Sequence, residues 1–178
     1  SISLWFNPSD AVPYTGPNGV GWHQIIGKGV TNYAGSSSAA EDDNYQVFQL
    51  GDRLLFEWND ATTHQHYQAI TPPTVQANQW NYLTVNVQGG QLKIYNNGGA
   101  PLPLIYDNSN VPDITSTLAP VTVNLENNNN NVRVGAQYEP SSSSGSSFYF
   151  KGNIGDLALY NRALTPNEIL QNYQSYSA

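Results

Sequence analysis

The chain has 178 residues, enough for one domain that buries roughly 70% of the surface its unfolded form exposes. Charged residues make up 11% of it and the formal charge is −7, with six Lys and Arg scattered singly, which excludes the clustered basic face that nucleic-acid binding needs. The absence of cysteine excludes disulfides, thiol chemistry and Cys-based zinc sites, and no apolar run reaches the ~18 residues of a membrane-spanning helix.

Taken in order, the chain reads as short alternating runs separated by turn-rich loops, the pattern of an antiparallel sandwich. Ile2, Leu4 and Phe6 alternate with Ser3 and Trp5 in the first run. A Pro/Gly-bounded stretch follows, with Tyr14, Trp22 and His23 among Pro13, Gly16, Pro17, Gly19 and Gly21. Leu83, Val85 and Val87 alternate with Tyr82, Thr84 and Asn86, and Gly89-Gly90 turns the chain into Leu92 and Ile94. Near the C-terminus, Leu157 and Leu159 oppose Ala158 and Tyr160. Thr165, Pro166 and Glu168 then form a capping box with proline at the first helical position, which predicts a helix over 166–174 facing the sheet with Ile169, Leu170 and Tyr173. Three polar segments, 35–40, the five Asn of 127–131, and the Ser-rich 141–147, are expected as rim loops.

The C-terminal pattern Phe150-Lys151-Gly152-Asn153-Ile154-Gly155-Asp156 running to Tyr160-Asn161-Arg162-Ala163-Leu164-Thr165 and Glu168-Ile169 resembles the closing signature of laminin-G-like, concanavalin A-like domains. Other segments are similar to that family's strands: Ser3-Leu4-Trp5-Phe6, Ile25-Ile26-Gly27-Lys28-Gly29, Arg53-Leu54-Leu55-Phe56, Gln79-Trp80-Asn81-Tyr82-Leu83-Thr84, Leu92-Lys93-Ile94-Tyr95-Asn96-Asn97-Gly98 and Val132-Arg133-Val134-Gly135. The resemblance implies an all-β jelly-roll β-sandwich with one short C-terminal helix, filling residues 1–178 as a single domain. It puts Trp5 and Trp80 at core positions. The family often carries a further strand, with an Asp-Gly pair, ahead of the first one here, so the expectation is a piece of a larger polypeptide or assembly. Gly155 stands where relatives often have Asp, which removes one of the residues that hold calcium in some of them.

A retaining glycosidase needs two carboxyl groups about 5.5 Å apart, and the alternating Glu-x-Asp-x-Glu run of hydrolytic relatives is missing. Glu57 with Asp60, and Glu41 with Asp43, read as solvated acids, so no catalytic residue is assigned. The cluster Glu41, Asp42 and Asp43, followed by Asn44, offers the oxygen ligands that calcium takes, making Ca2+ the one cofactor expected. His64 and His66 read as two imidazoles on one side of a strand, too few for structural zinc.

Exposed Trp and Tyr present flat faces to sugar C–H groups while Asn and Asp read hydroxyls. On that chemistry Trp22, Tyr14, Tyr138, Asn128 and Asp42 are the candidate ligand-binding residues. Trp22 and Tyr138 also admit a second reading, loop anchoring with an apolar body buried and a polar tip wet. Trp58 could be core or surface. The leading expectation is a non-catalytic recognition module that binds carbohydrate or a glycosylated protein through rim loops, in an extracellular, cell-surface or virion-surface setting. Its rival is a structural or adhesive tile that assembles with neighbouring chains by strand addition. A third reading is an accessory domain of a glycoside hydrolase or lyase.

Overall fold

The computed structural model describes residues 1–16, 21–29, 44–109, 112–138 and 146–176. In this range the strands are β1 (Ile2–Pro8), β2 (Trp22–Lys28), β3 (Tyr45–Leu50), β4 (Arg53–Asn59), β5 (His66–Ile70), β6 (Asn81–Gln88) and β7 (Gln91–Asn96). They continue with β8 (Ile105–Asp107), β9 (Val132–Val134), β10 (Gln137–Tyr138), β11 (Ser146–Ser147) and β12 (Gly152–Leu159), before the helix α1 (Pro166–Tyr176).

Two antiparallel sheets form a sandwich, as the alternating runs predict. One has the order β12-β1-β6-β7 and the other β8-β5-β4-β3-β2-β9, while β10 and β11 pair as a short ribbon. Strand β1 is paired on both sides, so β12 and β7 are the edges of the smaller sheet. Leu4, Phe6, Leu83, Val85 and Ile94 of the small sheet meet Ile26, Val47, Leu54, Phe56, Trp58 and Ala69 of the large one in the central core. Burying each large apolar side chain contributes about 1.5–3 kcal/mol. Trp58 is fully buried and stacks on Tyr67, its register partner across the sheet, at 5.5 Å between ring centroids, which settles it as core. The hairpin at Gly89-Gly90 forms as expected, with both glycines at positive φ (56° and 76°) and Gln88 paired with Gln91.

The helix starts where the capping box puts it. The Thr165 N–H donates to Glu168 Oε2 at 2.8 Å and the Glu168 N–H donates to Thr165 Oγ1 at 3.3 Å. It packs on the outer face of the small sheet, where Ile169 and Leu164 cover Trp5, Tyr82 and Tyr95. Leu170 does not face the sheet as expected and is exposed. It follows Ile169 by one position, a turn of about 100° around the axis, so only Ile169 and Tyr173, four apart, share the buried side.

Two further expectations are corrected. Trp80 is not core but 49% exposed. It precedes β6 in phase with Tyr82 and Thr84, which point outward, and it lies beyond the part of that face that α1 covers. His64 and His66 do not share a strand: His64 sits at φ 56° in the turn closed by Asp60, whose Oδ1 accepts from the Thr62 and Thr63 N–H groups at 2.9 and 2.8 Å. There it meets the Glu126 carboxylate, while His66 begins β5.

Candidate functional site

The outer face of the six-stranded sheet is divided by its own register. Gln24, Phe48, Leu55, Ile70 and Ile105 are successive cross-strand partners, and the four apolar members form a mostly apolar row. Tyr14, Trp22, Ile114 and Phe148 cover it, forming a second cluster separate from the central core. Two residues along β3, β4, β5 and β8, and three along β2 where it bulges, the chemistry changes. Arg133, Gly27, Gln46, Glu57, Gln68 and Asp107 are successive partners across β9, β2, β3, β4, β5 and β8. A polar row therefore spans the whole sheet, and the next pair, Asn59 and His66, continues it.

Most of the row is buried: Gln46, Glu57, Gln68 and Asp107 are each 5% exposed or less. Glu57, expected as a solvated acid, is buried because it lies in the middle of the sheet rather than in a loop. Burying polar groups costs free energy unless each finds a partner, and most do here. The Gln137 amide donates to Gln46 Oε1 at 2.7 Å. Asp107 Oδ2 accepts from the Ser109 hydroxyl and from the Asp113 N–H at 3.2 Å. The Gln68 amide lies 3.1 Å from His66 Nε2, and His66 Nδ1 lies 3.3 Å from Asn59 Oδ1. With Gln68 donating to Nε2, the proton belongs on Nδ1, where it donates to Asn59; Glu57 Oε1 stands 3.9 Å from Nε2.

Two acceptors in this face are left over. The side-chain carbonyl oxygens of Gln24 and Gln68 are buried and accept no hydrogen bond among the described residues. The Gln24 amide folds over Gly27, where any Cβ would overlap its nitrogen, so the missing side chain of Gly27 makes room for Gln24 in the row. An unsatisfied buried acceptor costs about 1–3 kcal/mol. These two acceptors stand on a face that also carries a guanidinium, two carboxylates and an imidazole. The row ends at the half-buried Arg133 on one side and continues to the half-buried His66 near the other.

The residues expected from sequence fall elsewhere. Trp22 is half-buried at the start of β2, edge-on to Phe48 at 5.4 Å and tilted on Phe148 at 6.0 Å. Tyr14 is buried in the same cluster, its hydroxyl donating to Pro112 O at 2.9 Å, and burial pushes that phenol's pKa up. Both lie over the apolar row, not the polar one. Asn128 is half-buried before β9, and its Oδ1 accepts from the Asn130 N–H at 3.2 Å. Tyr138 belongs to β10 through its backbone, opposite Ser146, and its side chain lies outside the described residues. Glu41, Asp42 and Asp43 lie outside them too, so the structure does not address the calcium expectation at that cluster. Among the described residues no three His, Asp or Glu side chains converge as a metal site. The polar row itself was missed. Its signal was the single glutamines set in apolar strands, as in Ile25–Gln24 and Gln68–Ala69, which period-two reading treats as outward and solvated.

The family described as "Sialidase, N-terminal domain" matches residues 29–177. No curated protein sequence matches the chain. Among solved structures, the carbohydrate-binding domain of the Ruminococcus gnavus IT-sialidase, described as "CBM40 bound to alpha2,3 sialyllactose", is similar over 97% of this chain and 80% of that one, at 13% identity and TM-score 0.61. The botulinum neurotoxin type G receptor-binding domain is similar over 98% of this chain, at 16% identity and TM-score 0.51, and this chain spans 37% of that domain's length. At these identities the structural likeness establishes a lectin-like β-sandwich fold; the sandwich expected from the laminin-G-like resemblance is present, but the family that matches is the sialidase N-terminal domain and not a laminin-G-like one.

Proposed function

This chain belongs to the family of sialidase N-terminal domains, and on that premise we propose that it is a non-catalytic carbohydrate-recognition module that reads a glycan on the polar row of its six-stranded sheet. The observation that carries the reading is the row itself: Gln46, Glu57, Gln68 and Asp107 side by side in register, with Arg133 one strand further beyond Gly27, and the Gln24 and Gln68 carbonyl oxygens lacking donors among the described residues. Sugar hydroxyls donate to such oxygens, and their own oxygens accept from amides. The guanidinium of Arg133 offers a fork of N–H groups that matches a sugar carboxylate, as in a sialoside. The relative bound to α2,3-sialyllactose supports that choice of ligand.

The row is deep-set, so the glycan reaches it from the half-buried ends, meeting Arg133 and His66 before the central glutamines. In this reading Trp22 and Tyr14 brace the neighbouring apolar row rather than stack on sugar. The single domain would act as the recognition part of a longer, secreted chain, and the accessory role beside a sialidase is one form of that arrangement. No helix among the described residues is long and apolar enough to cross a membrane.

Isothermal titration with α2,3-sialyllactose tests the proposal. Binding is expected in the wild type, with roughly a tenfold loss, equivalent to 1.4 kcal/mol, in Arg133→Lys, which keeps the charge but loses the fork. Absence of binding, or binding that Arg133→Lys leaves untouched, would overturn it.

A further inference from the structure

A second concave surface stands on the opposite side of the sandwich, on the outer face of the four-stranded sheet. Trp5, Trp80, Asp156, Tyr173 and Tyr176 line a groove of about 370 Å³ where the end of α1 meets β12. We propose that this groove binds a neutral hexopyranose, stacked on Trp80 and hydrogen-bonded by Trp5 and Asp156.

The parts are what a sugar ring needs. Trp80 is 49% exposed, and no ring stacks on it among the described residues. Its six-membered ring reaches Gly155, with Cη2 3.9 Å from where a Cβ would stand, while about half of the residue is left open to solvent. Tyr176, 60% exposed, forms a side wall. Trp5 forms the floor at 7% exposure, and its Nε1–H is buried without an acceptor. That orphaned donor is the independent sign of a missing partner, since indole N–H groups ordinarily find one when buried. Asp156, exposed beside it, supplies the acceptor; it is held at φ +49°, in the left-handed region, by the bulge that β12 makes opposite β1.

Charge and ring geometry select the ligand class. Among the described residues no cation lines the groove, and Asp156 is a carboxylate, so an anionic sugar is repelled by it. A quaternary ammonium needs several ring faces converging on it. Here Tyr82 lies against Trp5 at 5.1 Å and Tyr173 stacks on it at 5.6 Å, so its faces are already taken. What remains is a platform, a wall, one donor and one acceptor. The ligand class rests on reading the domain as a carbohydrate module, whereas the site shares no residue with the polar row. Two sites on opposite faces would let the domain bridge two sugars of a dense glycan layer and gain avidity from the second contact.

The test is an NMR titration that follows the indole N–H signals, using methyl glycosides of glucose, galactose and mannose, with tetramethylammonium chloride in parallel. Shifts of the Trp80 and Trp5 signals with at least one glycoside are expected. Trp80→Ala should weaken that binding roughly tenfold, Trp80→Phe less, and Asp156→Asn should weaken it while keeping a residue that tolerates positive φ. None of these should alter α2,3-sialyllactose binding that depends on Arg133. If no glycoside moves Trp80 or Trp5 while sialyllactose still binds, the groove inference fails and the module reading stands. If only tetramethylammonium moves them, the groove is a cation site and the inference fails.

Discussion

Gln68 is where stability and recognition should separate most cleanly. Its Oε1 is buried with no donor, and its amide donates to His66 at 3.1 Å. Replacing it with methionine, close in volume and shape, removes both groups and leaves the space filled. Losing the hydrogen bond to His66 costs about 1 kcal/mol, while relieving the orphaned oxygen returns about 1–3 kcal/mol. The net expectation is a protein more stable by about 0–2 kcal/mol, which for a domain of this size raises Tm by roughly 2–4 °C per kcal/mol. Urea unfolding measures it directly, as a higher midpoint at unchanged slope. If the glycan supplies the donor that Oε1 lacks, as proposed, the same variant should also lose glycan binding, and unchanged binding would place the sugar elsewhere. A Gln68→Met protein destabilised by more than about 1 kcal/mol would mean that Oε1 has a partner in the free protein, and the stored-acceptor argument would fall.

Gly152→Ala should destabilise by about 2–4 kcal/mol in urea unfolding, because the residue sits at φ +148° and its Cβ would overlap the Asn7 carbonyl oxygen and stand 2.9 Å from Pro8 Cα. Gly89→Ala, at φ +56° with open space around it, should cost only about 1 kcal/mol, and equal losses would refute the contact argument. The Arg162 guanidinium, 2.6 Å from Glu168, with the Thr165 N–H, holds the Glu168 carboxyl at about 2, below its ordinary 4.5. Since the folded value is the lower one, this stabilisation is complete above the ordinary value and fades as pH falls toward the folded one. The Tm gap between wild type and Glu168→Gln should therefore close on acidification, and a gap independent of pH would show that the ion pair contributes nothing. For the Glu41, Asp42 and Asp43 cluster, a thermal melt with added calcium decides the matter: a rise in Tm lost in Asp42→Asn/Asp43→Asn assigns the cation there, and an unchanged Tm in the wild type removes it.

The sandwich was legible from sequence because its signals are local and repeat. Ile2, Leu4 and Phe6, or Leu83 and Val85, fix which face of a strand is core, and Thr165 with Glu168 fixes where the helix starts. The polar row was not legible, because it exists only across strands. Gln46, Glu57, Gln68 and Asp107 are separated by 11, 11 and 39 positions and become neighbours only through the register of four strands. Period-two alternation assigns each of them to the outer face, correctly, but it cannot say that the outer face is covered. Trp80 failed for the complementary reason: its phase along β6 matches Tyr82, and only the finite length of α1 leaves one of the two exposed.

The same reasoning explains why Trp22 and Tyr14 are less exposed than their sequence surroundings suggest. Trp22 and Tyr14 were chosen because their surroundings in sequence offer no core, yet the outer face of a six-stranded sheet supplies one from Phe48, Leu50, Leu55 and Ile70. A wide sheet with two used faces has more interior than the central core alone, and turn-rich segments are drawn in to close it. Trp80 lies beyond the cover that α1 gives the smaller sheet, so an aromatic left there has no structural duty to explain it. Trp80→Ala should therefore change urea stability by less than about 0.5 kcal/mol, the usual range for surface substitutions, while still removing sugar contact. A loss of several times that would make Trp80 a brace for β12 and return the groove to the fold.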